Sequence, residues 1–144
     1  MTYRSSLLNA PWQIWVAAIA GAYCLYLLVI NAAFVFNVLT ADVRNESIPI
    51  IEFVLKTIGL AALVGGTALA LYGKAAAVSV TMVGALVYVM PWLYRWLWSA
   101  FSQPSLEHSW WMLIAYPRHT YESLIIPVSI VAVVKLAMNK KSTK

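Results

Sequence analysis

Apolar residues fill four long stretches of this chain, at 12–38, 50–72, 76–101 and 123–138, and polar residues collect in the gaps and at the edges. Each stretch approaches the ~20 residues that a helix needs to cross a bilayer's hydrocarbon. The stretches are apolar all round the helical wheel, whereas a helix of a soluble bundle keeps a polar face. The pattern predicts an all-α integral membrane protein with four transmembrane helices, at about 12–38, 50–72, 76–101 and 121–138, in one antiparallel bundle. Residues 1–144 then form a single transmembrane domain, with a short interfacial helix expected between helices 3 and 4.

Composition sharpens this reading. The chain is 62% hydrophobic and 10% charged, against roughly 45–50% apolar and about 25% charged in a soluble domain. The spans use most of its length, so no soluble catalytic domain is expected. A net charge of +5 raises the question of nucleic acid. The basic residues stand singly except in the tail Lys135, Lys140, Lys141 and Lys144, which reads as a topology signal with weak attraction for anionic lipid. Nucleic acid is therefore not an expected partner. Cys24, the single cysteine, falls in mid-span, where it reads as a small packing residue.

The charges also order the topology. With four spans both termini share a side, which carries Arg4, Lys74 and the lysine tail but no acid. The opposite side carries Asp42, Arg44, Glu46, Glu52, Arg95, Glu107, Arg118 and Glu122. The positive-inside rule then predicts a bacterial inner-membrane protein with both termini cytoplasmic. The first span is too long for a signal-peptide core and has a single arginine before it, so it reads as a retained helix.

Helix 2 holds the clearest repeat. Glu52, Gly59, Gly66 and Gly73 recur every seven residues and share one face, with Ala62, Gly66 and Ala70 beside them. Small residues let helix backbones approach closely in lipid, so this face is expected to pack against another helix. Glu52 and Lys56 stand four apart in the favourable order for an intramembrane ion pair. They read as a neutralised pair below the headgroups, or as a proton or ion relay or a ligand anchor. No further mid-depth ionisable group on the other helices supports proton-coupled transport. Asn31 and Asn37 on helix 1 are expected to bond to a neighbouring helix. Asn45-Glu46-Ser47 forms a glycosylation triplet of low specificity.

The segment 88–121 carries ten of the nineteen aromatic residues, with Pro91 inside helix 3 and Pro117 before helix 4. Such density serves interfacial anchoring, or walls a cleft for lipid, quinone or a partner. The candidate ligand- or partner-binding residues on this outer face are Arg95, Trp96, Glu107, His108, Trp110, Trp111, Arg118, His119 and Glu122. The two histidines are eleven apart with no metal-ligand repeat, and no nucleophile motif or phosphate loop occurs, so neither metal nor catalytic residue is assigned.

The expected function is therefore a non-enzymatic accessory or interaction protein, a small subunit of a membrane complex or an immunity-type protein. It would bind lipid and another membrane protein, or a further copy of itself, through the aromatic outer face. The alternatives are a small transporter or channel component, and a quinone-handling subunit of a redox complex. No cofactor is expected, with a quinone or similar lipid-like ligand as the open exception.

Overall fold

The computed structural model describes residues 12–40, 50–102 and 117–139. Among these are four helices: α1 (Trp12–Thr40), α2 (Ile50–Leu71), α3 (Ala77–Ser102) and α4 (Pro117–Asn139). All four are long and apolar enough to span a membrane, which suits a multi-pass membrane protein. Their outward surfaces bear this out chemically: Ile19, Phe36, Leu86 and Val128 are all well exposed, as lipid-facing side chains are. Neighbours along the chain pack together, α4 also touches α1 and α2, and α2 against α3 is the most extensive contact.

The turn between α2 and α3 explains that contact. Gly73 adopts a φ of 69°, a left-handed conformation natural to glycine. Its N–H donates to the Ala70 carbonyl at 3.0 Å, and that of Lys74 donates to Leu69 at 2.9 Å. This pairing closes a Schellman cap and satisfies the last carbonyls of α2. Gly73 therefore caps the helix, a role its heptad position does not announce. Ala77 then donates back to Lys74 at 3.0 Å, and α3 begins at once.

From that turn the two helices meet at seven-residue steps. A Cβ on Gly66 would collide with the Thr81 hydroxyl, and one on Gly59 would lie 2.7 Å from the Tyr88 amide nitrogen. Gly84 returns the favour from α3, where a Cβ would stand 2.8 Å from the Ala62 methyl. Close approach buries Gly59, Gly66 and Ala70 with Leu60 and Leu63, beside Cys24 of α1, Tyr88 of α3 and Val134 of α4. Thr67 and Thr81 are buried too, but their hydroxyls donate to Val64 and Ala77 carbonyls of their own helices. Around these threonines the described interior is apolar, and both hydroxyls are satisfied within their own helices.

Two local expectations change. Asn31 donates at 3.0 Å to Leu27 of its own helix, one turn back, where a cross-helix bond was expected. Pro117 opens α4 four residues before the expected start, because proline's fixed φ and missing N–H suit a first helical position. The expected interfacial helix between helices 3 and 4 lies outside the described residues, as do the 45–47 triplet and Lys140, Lys141 and Lys144 of the tail.

Candidate functional site

The third heptad step away from the turn brings together two charges. Arg95 of α3 meets Glu52 of α2 side-on, Nε to Oε1 at 2.5 Å and Nη2 to Oε2 at 2.5 Å. The guanidinium fork matches a carboxylate, which makes this a geometrically specific pair. Glu52 is largely covered, with 19% of its side chain exposed, while Arg95 remains 58% exposed. The hydrogen-bonded partner of Glu52 is therefore across the helix interface, in addition to its electrostatic interaction with Lys56. Helix spacing alone brings Lys56 near, but the α2–α3 register puts the better donor opposite the acid.

Lys56 belongs to the same cluster. It interacts electrostatically with Glu52, Arg95 and Glu122, and Glu122 also acts on Tyr88. Among the described residues, three helices thus contribute two acids and two bases to one cluster. Groups assigned separately to an intramembrane pair and to an outer face form one constellation. Mutual neutralisation lowers the cost of holding such charges in an apolar span.

Beside the ion pair, α2 and α3 separate enough to leave a groove of about 850 Å³. Ile50, Ile51, Glu52 and Leu55 line it from α2, and Val87, Met90, Pro91 and Tyr94 from α3. Gly59 marks where the glycine contact ends; beyond it the facing side chains are larger. Pro91 has no N–H to donate to the Val87 carbonyl, so α3 passes the groove with one helical bond missing. Ile51, Met90 and Tyr94 are all more than half exposed, so the groove opens sideways onto the apolar surroundings. Tyr94 stacks on Trp98 with centroids 6.3 Å apart, extending an aromatic wall towards the end of α3.

Of the other candidate residues, Trp96 is half-buried, and its Nε1 donor is enclosed with no hydrogen-bond partner among the described residues. Arg118 and His119 lie on the backbone of the first turn of α4, near Glu122, and their side chains are outside the described set. Glu107, His108, Trp110 and Trp111 also lie outside it. Among the described residues no group of three or more His, Cys, Asp or Glu side chains is placed to hold a metal ion. The groove residues Ile51, Leu55, Val87, Met90 and Tyr94 escaped sequence reasoning because apolar residues in a span carry no individual signal. The chain matches no known protein family, no curated protein and no solved structure.

Proposed function

We propose that this chain is a non-enzymatic multi-pass accessory or interaction protein of the bacterial inner membrane. It serves as a small subunit of a membrane complex or as an immunity-type protein. It binds a partner or lipid at the end of the bundle where Glu52 and Arg95 meet. The helices run antiparallel and both termini are cytoplasmic, so that end faces outward, a topology that the distribution of acids and lysines supports.

The observation that carries this reading is the cross-helix Glu52–Arg95 pair at the side of an open apolar groove. Ionisable groups in a span are costly to hold, and they concentrate where something is recognised. Apolar walls with a few fixed polar groups are the usual make-up of a binding cleft. The filled interior, with Leu60, Leu63 and Val134 fully buried, favours this over an aqueous path through one copy.

The test is purification of the full chain in mild detergent, comparing parent, Arg95→Ala and Trp96→Ala at matched levels. A stoichiometric protein or lipid companion is expected with the parent and severalfold less with Arg95→Ala. A parent free of any companion, or the same companion retained by both variants, contradicts the reading.

A further inference from the structure

Arg95 has more hydrogen-bonding capacity than Glu52 uses. Nε and one Nη2 hydrogen are spent on the carboxylate, which leaves the Nη1 amine and the second Nη2 hydrogen for another acceptor. More than half of the side chain is exposed, so those donors are accessible. Glu52, in turn, lines the groove and keeps lone pairs on both oxygens. The apolar groove is therefore lined by an anionic acceptor, Glu52, whose carboxylate is flanked by the cationic donor Arg95. Lys56 and Glu122 add a further base and acid around this pair, so the surroundings suit a ligand that carries both charges.

We propose that the α2–α3 groove holds one phospholipid with a zwitterionic, primary-amine headgroup. Its acyl chain lies on Leu55, Val87 and Met90, its phosphate on Arg95 and its ammonium on Glu52. The inference rests on the functional reading above and names the ligand class of the same site. The volume of about 850 Å³ lies within the range of ligand clefts, roughly 300–1,000 Å³. The exposure of Ile51 and Met90 lets a chain enter from the bilayer without the helices parting. Tyr94, which lines the groove, stacks on Trp98, and aromatic rings of this kind favour the headgroup boundary. A phosphate takes the spare Arg95 donors, since arginine and phosphate form strong charge-assisted bonds.

The full chain, delipidated in detergent, is titrated with dioleoyl phosphatidylethanolamine, phosphatidylcholine and phosphatidylglycerol, and bound lipid is counted by native mass spectrometry. One phosphatidylethanolamine per chain is expected, retained roughly tenfold more strongly than phosphatidylcholine, whose quaternary amine donates no hydrogen bond. Val87→Phe and Leu55→Phe, which fill the groove, should abolish the preference. Val128→Phe, on the exposed face of α4, should leave it intact and shows that an added ring does not itself unfold the bundle. Arg95→Lys keeps the charge with a poorer fork and should weaken retention severalfold. Equal retention of the three lipids, or undiminished binding by folded Val87→Phe protein, overturns the proposal. If a co-purifying protein, and no lipid, is lost with Val87→Phe, the groove docks protein, and the lipid assignment fails while the interaction reading stands.

Discussion

Two adjacent glycines on α2 have opposite surroundings. A Cβ at Gly66 would meet Thr81, including its backbone nitrogen at 3.0 Å, whereas one at Gly65 would have nothing within 4 Å. Gly66→Ala should therefore push α2 and α3 apart and cost about 1–3 kcal/mol, as overpacking does. Gly65→Ala adds a methyl group in open space and should be neutral or stabilise by up to about 1 kcal/mol through helix propensity. Thermal melts of the two variants in one detergent give the comparison, and equal melting temperatures would refute the close-packed face. Gly73→Ala is unfavourable for a different reason: its φ of 69° strains any residue with a Cβ, at a cost of roughly 1 kcal/mol. Gly73→Asn, which tolerates that conformation, should recover part of the loss in the same melt.

At the scale of the element, α2 and α3 act as one hairpin whose register assigns each contact. Glu52 lies three heptads before Gly73, and Arg95 lies three heptads after Lys74, so the turn alone brings them level. Removing one charge leaves the other unpaired beside an apolar groove; removing both does not. Glu52→Gln and Arg95→Gln should each destabilise, and the double variant should lose less than their sum. A coupling of about 1 kcal/mol is expected, modest because Arg95 is more than half exposed. Additive effects would mean that the pair contributes nothing in the folded protein.

This hairpin also shows what was legible in the sequence. The four spans were, because length and unbroken apolarity encode them directly, and so was the small-residue repeat of α2. The facing column of Lys74, Thr81, Tyr88 and Arg95 has the same period but no common chemistry, so it does not announce itself. The proximity of Glu52 and Lys56 is legible because helix spacing is local, whereas the Glu52–Arg95 bond needs the turn fixed first. The groove was not legible at all. It arises where glycine packing gives way to larger side chains and Pro91, a property of two helices together.

For the whole molecule, polarity is asymmetric between the two ends of the bundle. The Gly73 turn closes one end of the α2–α3 hairpin, and the Glu52–Arg95 level lies towards its other end, which the proposed topology turns outward. Reporter fusions should therefore be cytoplasmically active after Lys144 and externally active when inserted within 105–109. An externally active fusion after Lys144 would invert the bundle and put the charged level on the cytoplasmic side. Function is assigned to that level because its groove joins an apolar surface to a fixed ion pair, a combination absent from the plain exposed faces of α1 and α4 among the described residues. The most direct test is a photo-reactive side chain placed at Met90, with Leu25 and Val128 as equally lipid-exposed controls, in membranes of the native host. The account predicts one adduct of discrete mass at Met90 and heterogeneous bulk-lipid adducts at the other two. The same adduct profile at all three positions would contradict it.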